Sequence, residues 1–225
     1  MLSAQDIQDK LKDWGASFVG FSDVGGKLPP DLRSLRYAIT VGVRLSNFIV
    51  DGITDRPTYT YFHHYRAVNA LIDQITLRGM LLLQDWGYSG VAVPASQTVR
   101  DAAESYSGIF PHKTAAVKAG LGWIGKSGLF ISSEFGPRVR LGTILTDFKL
   151  PVEAVETAGG CGECRLCVES CPAAALTGSP WREGCRRSEI VDAKACSDYM
   201  NEKFKHIGRG AVCGICMKVC PYGAR

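Results

Sequence analysis

Residues 161–172 read CGECRLCVESCP, so four cysteines and a proline follow the pattern C-x2-C-x2-C-x3-C-P. Two residues between ligands allow a tight loop to cover one corner of an iron–sulfur cube, whereas the fourth cysteine points to a different cube. The run therefore predicts [4Fe-4S] clusters, and it requires a matching run elsewhere in the chain.

The matching run is CGICMKVCP at residues 213–221, with three cysteines and a final proline. Its last cysteine, Cys220, is expected to return to the first cluster. Because this run has one cysteine fewer, one ligand of the second cluster must come from elsewhere. Cys185 and Cys196 are the two candidates, and spacing alone does not choose between them.

Other uses of the nine cysteines fit the sequence less well. All nine lie between Cys161 and Cys220. An odd number cannot pair completely, and a reducing cytoplasm disfavours disulfides. A zinc ribbon also uses C-x2-C pairs, but it separates them by longer gaps and closes each site with four ligands. Three cysteines at successive x2 gaps favour two [4Fe-4S] clusters.

The cysteine-free part of the chain is predicted to be a separate domain. Pro151 and the small, acidic run at residues 152–160 show no periodic pattern and precede the first cysteine. We therefore predict a domain at residues 1–152 and a bacterial ferredoxin-like two-cluster module at residues 153–225. The long gap between the two cysteine runs predicts an inserted lobe at residues 181–195.

Residues 1–152 alternate between helical and extended patterns, as in an α/β or α+β domain. Ser3 and Asp6 form a capping-box signature before a helix that Gly15 ends. The predicted elements are helices at 57–86 and 113–121 and strands at 17–21, 37–45, 88–94, 129–132 and 139–146. A turn at residues 134–137 (EFGP) is expected to join the last two strands as a hairpin.

Composition and charge narrow the class further. Hydrophobic residues make up 46% of the chain, as in a globular protein, and the formal charge of +4 is spread without a basic run. Two clusters with their thiolates would add about −2 each and make the protein nearly neutral. The first 15 residues lack a secretion signal, and the apolar stretch 37–50 is too short to span a membrane. We therefore expect a cytoplasmic protein without a membrane partner.

Residues 119–126 (AGLGWIGK), called the glycine-rich segment below, combine three glycines with a tryptophan and a lysine. Glycines allow a flat ligand to approach the backbone closely, although a tight turn explains them equally well. Gly120, Gly122 and Gly125 have G-x-G-x-x-G spacing. They follow a predicted helix and not a strand, so they do not indicate a dinucleotide site.

Five stretches together resemble the epoxyqueuosine reductases, a family related to the reductive dehalogenases. They are the two cysteine runs, IVDAKACSDYM at 190–200, the glycine-rich segment and LGTILTDFKLP at 141–151, and the match covers roughly residues 113–225. The resemblance, closest to a short branch of the family, implies that Cys196 is the missing ligand. Cluster one would then be bound by the first cysteine set, Cys161, Cys164, Cys167 and Cys220. Cluster two would be bound by the second cysteine set, Cys171, Cys196, Cys213 and Cys216. Cys185 is interpreted as a free, at least partly buried thiol.

The resemblance also implies further cofactors and partners. Those enzymes depend on a corrinoid and reduce an epoxide in a tRNA wobble-base precursor, so cobalamin and tRNA are implied here. Electrons would come from a redox partner protein or a small-molecule reductant. Because the family's glycine-rich segment lies at the corrinoid, the candidate cofactor-binding residues are Gly120, Leu121, Gly122, Trp123, Gly125 and Lys126.

One departure from the family concerns the proton donor. The family has an aspartate before the glycine-rich segment, but the corresponding residues 106–112 (YSGIFPH) contain no acid. His112 and Tyr106 are therefore the candidate catalytic residues, since a histidine titrates near neutrality. The alternative for His112 is a polar residue at a helix start.

Two functions remain open from the sequence. In the first, a reductase passes electrons through both clusters to a corrinoid or a substrate at the N-terminal domain. In the second, a corrinoid-free electron-transfer protein uses that domain to dock a partner redox enzyme. The size of residues 1–152 favours the first function, and the missing aspartate favours the second.

Overall fold

The computed structural model describes residues 3–26, 28–99, 106–152, 159–208 and 212–223. Two compact units are present, and each is built from three stretches of chain. The first unit comprises Met1–Arg44, Ala67–Leu121 and Arg140–Thr157. The second unit comprises Leu45–Arg66, Gly122–Val139 and Ala158–Arg225. All nine cysteines belong to the second unit, which also takes two stretches from residues 1–152; the sequence boundary at 152/153 stays a prediction.

The fold is mixed α/β, as predicted. In the described residues the helices are α1 (Ala4–Asp13), α2 (Asn47–Asp51), α3 (Tyr59–Asp85), α4 (His112–Lys118), α5 (Leu166–Glu169), α6 (Ala193–Phe204) and α7 (Ile215–Lys218). The strands are β1 (Phe18–Asp23), β2 (Tyr37–Arg44), β3 (Gly90–Val93), β4 (Gly122–Ile124), β5 (Phe130–Ser132) and β6 (Val139–Thr146).

A four-stranded sheet with the order β1-β2-β6-β3 forms the centre of the first unit. β1 pairs antiparallel with β2, and β3 pairs antiparallel with β6. β2 and β6 are buried along most of their length, which explains their continuous apolar sequences. The sheet therefore supplies the core of this unit.

Helix α1 and the part of α3 that follows Arg66 belong to the first unit. The capping box of Ser3 and Asp6 starts α1, and this helix buries Ile7 and Leu11. α3 contacts β6 closely: a Cβ built on Gly79 would lie 2.5 Å from Ile144 Cδ1. A Cβ on Gly142 would lie 2.3 Å from Ile72 Cγ2. Glycine at both positions thus allows the helix to approach the strand.

The predicted hairpin between residues 129–132 and 139–146 is wrong. β5 pairs with β4 in a separate two-stranded sheet, and β6 joins the four-stranded sheet. The EFGP turn does bend the chain, since Ser132 and Gly136 form a bridge and Gly136 has a left-handed φ of 58°. The partner of β5 was missed because β4 lies within the glycine-rich segment.

In the second unit, short helices hold the cysteine-bearing turns. Asp192 caps α6 by accepting a hydrogen bond from Ala195 N at 2.9 Å. The predicted lobe at 181–195 contains a short helical turn at Arg187–Glu189 and an ion pair of 2.8 Å between Arg182 and Glu189. No helix of the described residues is both long and apolar enough to cross a membrane.

Candidate iron–sulfur centre

The structure brings the first cysteine set together. One cavity of the second unit is lined by Cys161, Cys164, Cys167 and Cys220, although Cys220 is remote from the others in sequence. Lys126, Ser127, Ile131, Leu166, Pro221 and Tyr222 complete its wall. Four thiols around one cavity are the donor set that a [4Fe-4S] cluster requires.

Burial and neighbouring thiols raise the pKa values in this set. Burial is the main reason for the raised pKa of Cys167, and the nearby Cys161 and Cys164 add to it. The pKa of Cys220 is raised for the same main reason, with contributions from Cys161, Cys167 and Cys164. Grouped, partly desolvated thiols are unfavourable as free thiolates, and iron would supply the compensating charge.

The second cysteine set is also a group of neighbours. Burial raises the pKa of Cys196, and Cys171 adds to the effect. Burial raises the pKa of Cys213 to about 11, with contributions from Cys196 and Cys171. The pKa of Cys216 is raised by burial first, and then by Cys213, Cys196 and Cys171. The four thiols assigned to cluster two therefore interact with one another.

The two sets lie beside each other in the second unit. Cys167 of the first set also raises the pKa of Cys216 in the second set. Cys167 lies on α5 and Cys216 on α7, and these two helices pack against each other. The arrangement suits two clusters that exchange electrons.

Cys185 is not a member of either cysteine set. Its backbone N–H donates to Arg182 O at 3.1 Å in the inserted lobe, and the residue is half-buried. Of the two candidates for the missing ligand, Cys196 is thus the one that lies among the other cysteines.

A single-ion site requires its ligands to converge more closely than a cluster site does. Within the part of the chain that the structure describes, no three His, Cys, Asp or Glu side chains are placed to bind one ion. Zinc binds sulfur at about 2.3 Å, which requires its four thiolates to converge. A cube of iron and sulfide, by contrast, holds its four thiolates at the corners of a larger body.

An ionic network fixes α7 between two cysteine ligands. Arg138, which is only 3% exposed, donates to Asp51 Oδ1 at 2.8 Å. Lys218 of α7 donates to the same oxygen at 3.1 Å. These two hydrogen bonds, that from Arg138 first, lower the pKa of Asp51 to about 2. Because Lys218 lies between Cys216 and Cys220, the network helps to position both sets.

The glycine-rich segment forms a turn and a strand. Gly120 and Leu121 close α4, where Gly120 N donates to Val117 O at 2.9 Å. Gly122 begins β4 with a φ of 152°, and a Cβ there would lie 2.0 Å from Ile131 O. A Cβ on Gly125 would meet Ile131 at 3.0 Å and Cys161 Sγ at 3.4 Å. At Gly122 and Gly125, therefore, the chain's own atoms fill the space beside the backbone.

Because other atoms of the chain fill the space beside Gly122 and Gly125, a corrinoid could not lie against the backbone at these two glycines. Trp123 packs edge-to-face on Tyr222 with ring centroids 5.0 Å apart. Its buried Nε1 has no hydrogen-bond partner in the described residues. Lys126 donates to Gly162 O at 2.6 Å and to Cys164 O at 3.3 Å. Trp123 and Lys126 thus contact the cysteine region.

The glycine-rich segment also has the spacing of a phosphate-binding loop, but not its structure. Gly120, Gly125, Lys126 and Ser127 follow G-x4-G-K-S, the spacing of a phosphate-binding loop. That loop connects a strand to a helix, whereas here strand β4 continues through a turn into strand β5. The structural context of a phosphate-binding loop is therefore missing.

The two candidate proton donors lie in the first unit, and His112 is poorly suited to the task. It is the first residue of α4 and is half-buried, with Nδ1 2.8 Å from Thr143 Oγ1 and Nε2 2.9 Å from Pro94 O. A carbonyl only accepts, so Nε2 carries the proton and Nδ1 accepts from the threonine hydroxyl. Burial, the main cause, lowers the pKa of His112. Neither nitrogen is left for a substrate.

Tyr106 differs from His112 in exposure. Tyr106 is 41% exposed, and its backbone has a φ of 62°. A non-glycine residue in the left-handed region is uncommon and costs conformational energy. Tyr106 is therefore the accessible member of the pair.

Comparison with known proteins agrees with the cysteine geometry. Residues 160–223 match the family described as the 4Fe-4S double cluster binding domain. An epoxyqueuosine reductase of Pseudomonas aeruginosa is 34% identical over 120 residues, which are 49% of this chain and 31% of that protein. A Synechocystis epoxyqueuosine reductase is 33% identical over 143 residues, which are 57% of this chain and 46% of that protein. The chain thus spans about a third to a half of the curated relatives it matches.

Similar solved structures cover almost the whole chain. The catabolic reductive dehalogenase NpRdhA has a TM-score of 0.76 at 20% identity, covering 99% of this chain and 32% of its own. The epoxyqueuosine reductase of Streptococcus thermophilus has a TM-score of 0.58 at 18% identity, covering 98% of this chain and 66% of its own. These likenesses show the fold. Together with the sequence relatives they confirm the resemblance to epoxyqueuosine reductases and the two-cluster domain.

Proposed function

We propose that this protein is an iron–sulfur oxidoreductase of the epoxyqueuosine reductase-like type. Two [4Fe-4S] clusters bound by the chain's cysteines would supply electrons to a substrate or a corrinoid at the N-terminal domain, and a corrinoid would have to lie away from Gly122 and Gly125, whose flanks the chain itself fills. The observation that carries the proposal is the division of eight cysteines into two groups of four, in a region matching a double cluster domain. The first and second cysteine sets are the proposed ligands.

The clusters supply one-electron transfer when bound, and the chain's own residues hold them close together. Cys167 and Cys216 belong to different sets and yet interact. Clusters held by Cys167 and Cys216 and their partners would supply electrons one at a time. The reduction of an epoxide to an alkene consumes two electrons and two protons and releases one water molecule. Two clusters can hold the two electrons for one such turnover.

A tRNA nucleoside is the proposed substrate class. One of the similar structures is described as an epoxyqueuosine reductase with an epoxyqueuosine-modified tRNA stem loop. A proton must reach the departing oxygen, and Tyr106 is the proposed donor because its side chain is accessible. His112 is not proposed as the proton donor, because both its ring nitrogens are hydrogen-bonded within the protein.

The decisive experiment measures iron, sulfide and cobalt in protein that was reconstituted anaerobically with cobalamin available. About eight irons per chain are expected from two four-iron clusters. Stoichiometric cobalt would support the corrinoid acceptor. A substantially lower iron content after full reconstitution would contradict the two-cluster proposal.

The second candidate is a corrinoid-free electron-transfer protein that docks a partner redox enzyme. It is favoured by the absence of an acid in residues 106–112 and by the filled space beside Gly122 and Gly125. About eight irons without cobalt, and no reduction of an epoxyqueuosine-containing stem loop by the photoreduced protein, would support it. Reduction of that stem loop would exclude it as the full function.

A further inference from the structure

The turn after β4 is tied to the loop that carries the first two cysteines of cluster one. Lys126 Nζ donates to the carbonyl oxygens of Gly162 and Cys164, at 2.6 and 3.3 Å. Gly162 has a left-handed φ of 47°, and the loop closes through Cys164 N, which donates to Cys161 O at 3.0 Å. An ammonium group shared by two carbonyls of a four-residue loop restricts the loop to one conformation.

The same hairpin also contacts the remote part of the first cysteine set. The Trp123 ring packs against Tyr222, two residues after Cys220, and against Gly160, which precedes Cys161. The Tyr222 hydroxyl donates to Gly160 O. Trp123 and Lys126 thereby hold two cysteine-bearing stretches that are far apart in sequence.

The charge of Lys126 is placed where it affects a cluster. Lys126 is half-buried and lines the cavity of the first cysteine set. A partly buried charge is screened less by solvent and salt than an exposed one. Reduction adds a negative charge to a cluster, so a nearby cation stabilises the reduced form and raises the reduction potential.

We infer that Lys126 is a positioning residue of cluster one. It holds the Cys161–Cys164 loop through two carbonyl groups, and its charge keeps the reduction potential of that cluster above the value it would otherwise have. This inference rests on the proposed assignment of the first cysteine set to cluster one. It gives Lys126 a role at the cluster in place of the corrinoid contact that the resemblance implied.

The test compares Lys126→Met, Lys126→Gln and Lys126→Arg in the anaerobically reconstituted full chain. In Lys126→Met, one of the two reduction steps seen by EPR-monitored titration should move to lower potential. A chelator should remove iron from this variant roughly tenfold faster, the size of effect that outer-shell partners of metal ligands give. Lys126→Arg, which keeps the charge and the donors, should behave as the unsubstituted protein does.

Lys126→Gln covers the case in which Lys126→Met assembles poorly. It keeps a donor but removes the charge, so it should bind about eight irons and still show one lowered potential. Lys149→Met removes an exposed lysine and serves as the matched control. Loss of about half the iron in Lys126→Met alone would support the positioning role.

Unchanged potentials and unchanged iron release in Lys126→Met, relative to Lys149→Met, would overturn the inference. An unchanged potential in Lys126→Gln would overturn the part that concerns charge. Failure of the proposed function is distinguishable, because it would appear as a low iron content in the unsubstituted protein. The inference would then fall with its premise.

Discussion

At the scale of single residues, the choice between Cys185 and Cys196 follows from the start of α6. Asp192 caps this helix, and Cys196 N donates to Asp192 O at 3.1 Å. The cap places the Cys196 thiol where Cys171 and Cys213 are its neighbours. Cys185 lies in the inserted lobe.

Cys196→Ser should therefore lose one cluster, and Cys185→Ser should lose none. Serine oxygen replaces a thiolate poorly at an iron–sulfur cluster. The iron content is expected to fall from about eight to about four per chain only in Cys196→Ser. The measurement is iron and sulfide analysis after identical anaerobic reconstitution. Half the iron in Cys185→Ser, with full iron in Cys196→Ser, would reverse the assignment.

The environment of His112 predicts a stability that depends on pH. Its pKa is lowered in the folded protein, mainly by burial, from an ordinary value near 6.5. Below about pH 6.5 the unfolded chain binds a proton that the folded chain does not, so the free energy of unfolding decreases as the pH falls. The slope is at most about 1.4 kcal/mol per pH unit for one such group.

His112→Gln should flatten this part of the profile while lowering stability at pH 8, where the hydrogen bonds of the neutral imidazole are lost. Thermal unfolding of the holoprotein between pH 5 and pH 8 measures both effects. His206→Gln, which changes an exposed histidine, is the control. A profile for His112→Gln as steep as that of the control would show that His112 does not cause the pH dependence.

The role of His112 could not be predicted from its sequence position. His112 was a candidate proton donor because residues 106–112 contain no acid and because an ordinary histidine has a pKa near neutrality. The hydrogen bonds to Thr143 and Pro94 arise from β6 and from the end of β3, which only the fold brings together. The grouping of the cysteines was predictable because a cluster imposes local spacing on the sequence, except at Cys196, where the resemblance was needed; their assignment as ligands stays a prediction.

At the scale of elements, the contact between α3 and β6 depends on two glycines. Gly79 interrupts the apolar spacing of α3 in sequence, yet it lies where Ile144 approaches the helix. Gly142 of β6 has Ile72 of α3 in the corresponding position. The helix was predictable from its periodicity, whereas the need for glycine follows from the partner strand.

Gly142→Ala should lower the free energy of unfolding by about 1–3 kcal/mol, because the added methyl group overlaps Ile72 in a packed core. Chemical denaturation of the reconstituted protein measures the change. Gly159→Ala is the matched control, since a Cβ there has no atom within 4 Å, and its effect should stay within about 0.5 kcal/mol. Equal stabilities for the two variants would contradict the close contact.

The pairing of β4 with β5 shows why local patterns did not give the sheet topology. The EFGP turn favoured a hairpin between β5 and β6, but a turn fixes only the local direction of the chain. β4 contains the short sequence GWI inside the glycine-rich segment, which is too brief for a strand pattern. Its pairing is set by the close approach of Gly122 to Ile131, a contact between residues separated in sequence.

At the scale of the whole molecule, iron should stabilise one unit more than the other. Residues 1–160 contain no cysteine, and the sheet of the first unit has a core of its own, including Ile39, Val41 and Leu145. The second unit contains both cysteine sets among short helices. Metal binding contributes directly to folding where the ligands hold the chain together.

Removing iron should therefore reduce protection from hydrogen exchange in the second unit, including its cysteine-free stretches 45–66 and 122–139. Peptides from β1 and β2 should keep most of their protection. The expected loss in the second unit is about tenfold or more, equivalent to about 1.4 kcal/mol of local stability. Hydrogen-exchange mass spectrometry of holoprotein and apoprotein measures this. Uniform loss across all peptides would show that iron stabilises both units equally.

The division of each unit among three stretches of chain has an evolutionary consequence. A gene segment encoding residues 153–225 carries every cysteine, but it lacks Leu45–Arg66 and Gly122–Val139, which belong to the same unit. Recombination cannot transfer this unit as one cassette, since its parts are interleaved with those of its neighbour along the gene. An exchange of the segment encoding residues 153–225 alone would therefore separate the cysteines from the other stretches of their own unit.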